Sequence, residues 1–589
     1  MKSRTSFFNK GIFLNILKRT WPLWAVFFII CFLPLSFATL VERMDGLVKA
    51  SELVPEYIEA FMYSVFFQSS AISAIIIAIL AAMAAFSFLF TAKNTNLIAS
   101  MPVSRTAVFG SAYLAGFVPV IASYFLTALT NLLASLGTSI EFPILLEANV
   151  FYFFINSAEF FIFYSIAVMI AMITANAIAM PVLYIIFNFL FAGMETVVRS
   201  IICEFSFGVA MGSTVLDPLS PFLEISAFNI MPITEFGEIK YFAWFYEWKL
   251  LIIYLVAALI LSLAALLLFK KRRMESAGDV VAVLKLRPVF KFGVSVCASL
   301  CIGALFFVIF GDMYSGNAYR FFILLLGLFG GAFAGYFISE MLIRKSIHVF
   351  KGHWPGFIVI CVLAAAFAVC CFFDLFGLSS KLPEADDIVS VAPEYSVTVI
   401  TDKKDIEELL KINRAIIDKR TEYLPYMHGY YDESFSVGFR YILKDGSLIC
   451  RYYQITSDEN LEAYCNILNK PEYVLMNYAP DGRNLKMENI ESANYELPSP
   501  DGIRGFELTA EQAYDYYYNA LLPDIESGNI RCFYSEAYGY SDFIANVDIS
   551  VISDDPDSEV HWYTINPTIS PECKYSIQWF HDKLGVDLK

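Results

Sequence analysis

Thr91-Ala-Lys-Asn-Thr-Asn-Leu-Ile-Ala-Ser-Met-Pro-Val-Ser-Arg105 is a short polar connection between two long apolar runs, Phe61 to Phe90 and Val108 to Leu136. Neither run contains a charged residue, and each exceeds the roughly 20 residues a helix needs to cross a hydrocarbon core. The stretch therefore reads as a tight loop joining two membrane crossings, and it sets the expectation for the rest of the chain.

The same pattern recurs on both sides. The 589 residues are 58% hydrophobic and 17% charged and include 56 Phe, which excludes an ordinary soluble protein, whose apolar share is nearer one half. Nine candidate spans result: Trp21 to Leu40, Phe61 to Phe90, Val108 to Leu136, Val150 to Ile173, Ala177 to Met194, Phe242 to Phe269, Phe292 to Phe310, Phe321 to Ile343 and Phe357 to Phe376. The first has basic residues before it and Ser36-Phe37-Ala38 after it, like a signal peptide, but its length and the spans that follow favour a retained anchor. The predicted fold class is an α-helical polytopic membrane protein of about nine transmembrane helices with a C-terminal α+β domain.

Lys and Arg near helix ends orient such a chain, since cytoplasmic loops carry the excess. With the N-terminus inside, the cytoplasmic segments 1–20, 91–107, 270–291 and 344–355 hold seventeen Lys and Arg against five in the opposite loops. Nine crossings then put residues 377–589 outside the cell. That segment has 18 Lys and Arg against 37 Asp and Glu, a net of −19 within a chain of −16. An acidic surface excludes nucleic acid as a partner and suits solubility or cationic partners.

The soluble segment reads as α+β: a strand at Tyr395 to Thr401, an amphipathic helix from about Asp402 to Lys419, and strands Phe435 to Leu443 and Ser447 to Ile455 around the turn Lys444-Asp445-Gly446. A second helix carries the capping pair Thr509 and Gln512, and strands follow at Phe543 to Ile552 and Val560 to Ile565. A third helix starts at Ser570 with Pro571 in its first turn and stops at Gly585.

The connection at 91–105, with its Ser100-Met101-Pro102-Val103-Ser104-Arg105 core, resembles the coupling loop of ABC-2-type exporter permeases. The likeness is to the Gram-positive multidrug or antimicrobial-peptide subgroup, in which a small-Leu/Met-Pro-x-x-Arg pattern docks on the ATPase. The basic amphipathic stretch with Phe7, Phe8, Ile12, Phe13, Ile16 and Leu17 is similar to the elbow helix of that family. Phe439-Arg440-Tyr441, Leu443 to Gly446, Arg451-x-Tyr453 and Tyr575 to Trp579 resemble the extracytoplasmic domain that ends one subgroup. That domain's first helix is expected to carry a Leu-His pair where this chain has Ile412-Asn413, which puts any role of that His in doubt.

The resemblance implies an elbow helix over 1–20, a six-helix transmembrane domain over 21–270, a basic cytoplasmic linker over 271–291, three further spans over 292–376 and an acidic extracytoplasmic domain over 377–589. It implies an ATPase-coupling loop containing Lys93, Ser100, Met101, Pro102 and Arg105, a separate ATPase subunit, a second permease subunit forming a homodimer or heterodimer, and a plasma-membrane location. The chain has no GxxxxGK[ST] phosphate loop, and no HExxH, GxSxG or CxxC, so an enzyme is disfavoured, ATP hydrolysis falls to another polypeptide, and no cofactor or metal is expected.

A charge inside a bilayer marks function by default. Glu159, with Asn156 one turn earlier, lies in the fourth span; it lines a translocation pathway, meets a cationic substrate group, or bridges helices by hydrogen bonding. Glu195 and Arg199 are spaced to pair at the outer end of the fifth span. The loop from Glu195 to Tyr241, with apolar Ile201 to Val209, could dip into the outer leaflet.

Eleven Cys are scattered along the chain; Cys450, Cys465, Cys532 and Cys573 could form disulfides in an oxidising compartment. Asp554 to Glu559 is a solvated turn before it is a Ca2+ site. The expected function is the permease subunit of an ATP-driven exporter. The alternatives are a membrane sensor or resistance protein whose outer domain captures a peptide or drug, an ion-coupled transporter, for which midmembrane charges and repeats are too few, and, last, a membrane enzyme.

Overall fold

The computed structural model describes residues 7–44, 71–136, 142–212, 216–226, 233–235, 238–241, 248–272, 278–311, 313, 316–350, 354–393, 398–424, 434–478, 485–499, 502–531, 544–552 and 562–588. Among them eight helices are long and apolar enough to cross a membrane. Helix α1 (Lys10–Phe32) is followed by α2 (Ala71–Ala85), α3 (Ala92–Ala99), α4 (Arg105–Ser135), α5 (Phe142–Ile173) and α6 (Ala179–Phe205). Helices α7 (Trp248–Lys271), α8 (Arg287–Phe310), α9 (Asn317–Arg344) and α10 (Trp354–Phe372) follow, and the eight are α1 and α4 to α10. The second expected span is met by the shorter α2; its residues 61–70 lie outside the described residues.

Helix α1 begins where Asn9 accepts from the amide of Ile12 through Oδ1 (3.1 Å) and runs without a break through Thr20 and Trp21. From Lys10 onward the expected amphipathic helix and first span are one piece. Around Pro34 the helix widens into a π segment, Leu33–Phe37, because proline withholds a backbone donor and crowds the preceding carbonyl. It resumes as Ala38–Met44. Helix α6 continues eleven residues past the expected end at Met194 to Phe205; the next helix breaker is Gly208.

The chain forms two compact units. The first comprises Met1–Val197, Thr214–Gly303 and Gly327–Ala364. Its main core packs α1, α2, α4, α5 and α7, and α2 contributes the buried methyl-sized positions Ala74, Ala78, Ala81, Ala82 and Ala85, since small side chains let membrane helices approach closely. Gly331 does the same on α9: a Cβ there would stand 2.4 Å from the carbonyl oxygen of Ala298 on α8.

The second unit comprises Val198–Ser213, Ala304–Leu326 and Ala365–Lys589. It joins the last residues of α6, α8 and α10 and the first of α9 to the C-terminal region. Aromatic side chains line those helix ends: Phe205 lies 5.4 Å from Phe307, and Phe321 4.7 Å from Phe372. Arg320, almost fully buried, pairs with Glu204 at 2.6 Å and lies over the Phe307 ring.

Among the described residues the C-terminal region contains two antiparallel sheets. The first has β1 (Ile388–Pro393), β2 (Ser434–Leu443) and β3 (Leu448–Thr456) in that order, with Ile400 bridged to Val391 at the β1 edge. Helix α11 (Lys403–Asp418) lies between β1 and β2, capped by Asp402 through the amides of Lys404 and Asp405. Helix α12 (Glu459–Leu468) follows β3 and is capped by Asp458. In the second sheet, β4 (Ile490–Ser499) pairs with β5 (Gly502–Glu507) on one side and β6 (Ala545–Ile552) on the other; β7 (Trp562–Ile565) and β8 (Thr568–Ile569) both pair with β6.

Helix α13 (Ala510–Tyr516) carries the expected Thr509/Gln512 capping box, and α14 (Lys574–Trp579) ends the fold, its last turns closing at Gly585. In both sheets the strands are antiparallel and a helix follows the first strand or strand pair and again the last strand. The turn at Gly446, with φ +81°, closes the β2–β3 hairpin as expected. Helix α14 starts at Lys574 and not Ser570, because the buried carboxylate of Asp524 accepts from the amides of Tyr575 and Ser576 and so fixes its first turn.

Candidate functional site

Helix α3 is short because both ends are tied locally. The Thr95 hydroxyl donates to the carbonyls of Phe88 (2.7 Å) and Thr91 (3.0 Å), pinning the helix to the preceding 3₁₀ turn, Ser87–Phe90. At the other end the amide of Val103 donates to Met101 (2.8 Å) across Pro102, a three-residue turn. Ser104 then caps α4, its Oγ accepting from Ala107 (3.2 Å). The result is an isolated amphipathic turn of helix between α2 and α4, with Thr95 buried and Lys93, Leu97, Ser100, Met101 and Pro102 exposed. Leu97 is 60% exposed and Met101 37%.

Arg105 points elsewhere. Its Nη1 donates to the carbonyls of Lys270 (2.9 Å) and Arg272 (2.8 Å) at the carboxyl end of α7, where the last carbonyls lack intrahelical partners. The buried Arg272 in turn donates from Nη1 to Ala171 (2.8 Å) and Thr174 (3.2 Å) at the end of α5. Burial pushes the Arg272 guanidinium down to about 10, against the pull of Asp279, and it stays cationic at neutral pH. Residues of the basic linker close this end: Gly278 donates to Ala175, Ala175 to Asp279 and Ala282 to Ile173. Asp279 pairs with Lys345 (2.7 Å) and Arg287 (3.1 Å). Of the expected loop residues, Lys93, Ser100, Met101 and Pro102 share the exposed ridge or its flank, whereas Arg105 belongs to this helix-end network.

Inside the same unit α5 carries a buried polar stripe at helical spacing: Asn149, Tyr152, Asn156 and Glu159. Asn131 of α4 donates to Asn149 Oδ1 (2.9 Å) and accepts from Thr39 (3.0 Å). Asn156 Nδ2 donates back to Tyr152 (2.8 Å). Glu159 is 3% exposed, and its Oε2 has no hydrogen-bond partner among the described residues. The structure therefore brings Asn156 and Glu159 together on one buried face, well apart in sequence from the α3 ridge. The spacing 149, 152, 156, 159 was a signal in the sequence; Arg272 gave none, because a basic run beside a membrane helix needs no partner.

In the C-terminal region Asn413 is fully buried, donating from Nδ2 to Tyr441 Oη and accepting from Tyr453 Oη, both at 2.7 Å. The position at which the family pattern expects His is here a structural crosslink between α11 and the first sheet. Cys450, Cys465 and Cys573 form no disulfide among the described residues; Cys532 and the acidic run 554–559 lie outside the described residues. The described residues contain no group of His, Cys, Asp and Glu placed to hold a metal. Glu195 accepts from the amide of Leu216 (2.6 Å) on a helix that continues past it. No protein-family model matches this chain, and no curated protein matches it.

Proposed function

We propose that the chain is the membrane-spanning subunit of an ATP-driven exporter, working with a separate ATPase subunit and a second permease subunit. The observation that carries this reading is the α3 ridge: a short, locally tied helix between two membrane helices, exposing Leu97 and Met101 where a loop in contact only with water would gain by being polar. Apolar anchors on a small rigid element suit a groove on a partner protein. Arg105 and Arg272 supply the mechanical link, since both hold the ends of α5 and α7 beside the ridge. ATP-driven closure of the partner would press on the ridge and shift those ends together.

In this reading the ridge faces the cytoplasm of a cell bounded by the plasma membrane, the chain crosses nine times and the C-terminal region lies outside. The seventeen-to-five asymmetry of Lys and Arg supports that orientation. In this reading the carboxylate of Glu159, buried beside Asn156 within the chain's own helices, meets a cationic group of the cargo when those helices move apart, or else serves helix contact alone. The test is co-purification after mild detergent extraction. Wild type is expected to bring down an ATPase subunit, and Leu97→Asp with Met101→Asp to lose it while inserting normally. Equal recovery from both would remove the ridge from the mechanism.

A second reading, a membrane sensor whose outer region captures a peptide or drug, is favoured by one feature: the C-terminal region and the ends of four membrane helices form one compact unit, as a relay of signal requires. An ATPase in the purified complex separates the two.

A further inference from the structure

After α6 ends at Phe205, the chain does not leave as a free loop. The amide of Tyr452 donates to the carbonyl of Gly208 (3.1 Å), and the amide of Ala210 donates to the carbonyl of Cys450 (3.3 Å), with Val209 opposite Arg451. Residues 208–210 thereby form an antiparallel bridge with the outer edge of β3. An open edge invites pairing with other chains; here it is occupied from within.

Three side-chain features make the pairing specific. Phe207 is 2% exposed and belongs to the core of the first sheet, its ring 5.2 Å from Tyr453. Gly208 has φ +70°, and a Cβ there would lie 1.8 Å from Tyr453 Cε1, so both backbone and space require glycine. Tyr453 continues inward through its hydrogen bond to Asn413.

The second attachment of the region meets the same edge. Asp374, after α10, accepts from the amides of Leu378 (2.8 Å) and Ser379 (2.9 Å). Arg451 of β3 donates to the carbonyls of Leu378 and Lys381. That side chain is 5% exposed. The residue that faces Val209 on one side thus holds the α10 connection with its guanidinium.

We propose that residues 206–210 form a strap, bridged to the edge of β3 at Val209, that couples the carboxyl end of α6 to the first sheet of the C-terminal region, so that displacement of that helix end is transmitted to β3 and α11. One tether would leave the region free to swivel; two tethers converging on β3 fix it. The strap stands whether the chain exports, senses or does something else.

Three measurements on the full chain in detergent test it. Ala210→Cys places a thiol opposite the native Cys450, and directly opposed residues of an antiparallel pair lie about 5.5 Å apart, within disulfide range. Mild oxidation is expected to join them, so that a protease cut between residues 377 and 383 releases the C-terminal fragment only after reduction; wild type is the control. Hydrogen exchange at the Tyr452 amide is expected to be slow in wild type and in Gly193→Ala, a helix position with no neighbour within 4 Å, and at least about tenfold faster in Gly208→Val.

Coupling is read from the other side. Asn413→Leu, which loosens the first sheet, is expected to speed exchange at residues 203–206 while leaving β6 unchanged. Fast exchange of the Tyr452 amide in wild type, failure of the 210–450 crosslink, or unaltered exchange at 203–206 in Asn413→Leu would each overturn the strap. Should Gly208→Val unfold the region, shown by loss of protection in β6 as well, the crosslink and Asn413→Leu decide.

Discussion

Arg105 and Arg272 form a two-step relay in which Arg105 donates to the backbone carbonyl of Arg272 (2.8 Å) and Arg272 donates to that of Ala171 (2.8 Å). The start of α4, the end of α7 and the end of α5 are joined by two guanidinium groups, each filling carbonyls that the helices leave unpaired.

The two arginines are expected to differ in cost. Arg105 is exposed, so Arg105→Gln should lower stability by no more than about 1 kcal/mol, since water replaces its bonds. Arg272→Ala should cost about 2–3 kcal/mol, because buried carbonyls at the end of α5 lose a charged donor. Thermal unfolding of both variants in one detergent measures the difference. Equal effects would contradict the relay. Arg105→Glu, which sets a negative charge against the carboxyl end of α7, should in addition weaken recovery of the proposed ATPase subunit.

Glu159→Gln is expected to fold and insert, since the amide keeps hydrogen-bonding capacity in a buried site. Glu159→Lys should impair assembly by placing a longer, charged group among α5's buried neighbours. Transport by the Gln variant separates the roles: loss of a cationic cargo with normal assembly assigns the carboxylate to the cargo, and unchanged transport assigns it to helix contact.

The C-terminal region should lose stability in acid. The Trp579 indole donates to Asp515 (2.8 Å), and with Lys583 and Asn519 it holds that carboxyl below the ordinary value of about 3.9. The folded state therefore favours the ionised form. Its contribution is present above the unfolded value and is lost as pH falls below about 4 through the folded one. Being largely solvated, the site should contribute less than about 1 kcal/mol. Asp515→Asn should flatten the acid limb of a melting-temperature profile between pH 3 and 6; an unchanged profile would reject the assignment.

A fragment beginning at Gly377 satisfies the sequence expectation of an independent domain but lacks Phe207 and the strap. It is expected to melt below the same fragment carrying residues 203–213 on a flexible linker, and Phe207→Ala in the full chain should cost about 3 kcal/mol. Matching melts for the two fragments would show that the first sheet is complete without the strap.

Much of this was legible in the sequence, because the signals are local. Apolar runs near the length of a bilayer core mark the eight described membrane helices. Asp402 and Thr509 announce helix starts within three residues of the amides they cap, and Lys444-Asp445-Gly446 announces its hairpin. The polar link at 91–105 and the stripe through Asn156 and Glu159 were visible as well. Tertiary structure alone decided that Arg105 turns to α7, 165 residues away at Lys270. It also decided that Val209 bridges the edge of β3, that 490–499 and 502–507 pair as β4 and β5, and that Asn413 crosslinks two tyrosines. Each of these rests on a partner distant in the chain. A guanidinium, a sheet edge or a buried amide has no preference for one sequence separation, and only packing brings its partner within hydrogen-bond reach.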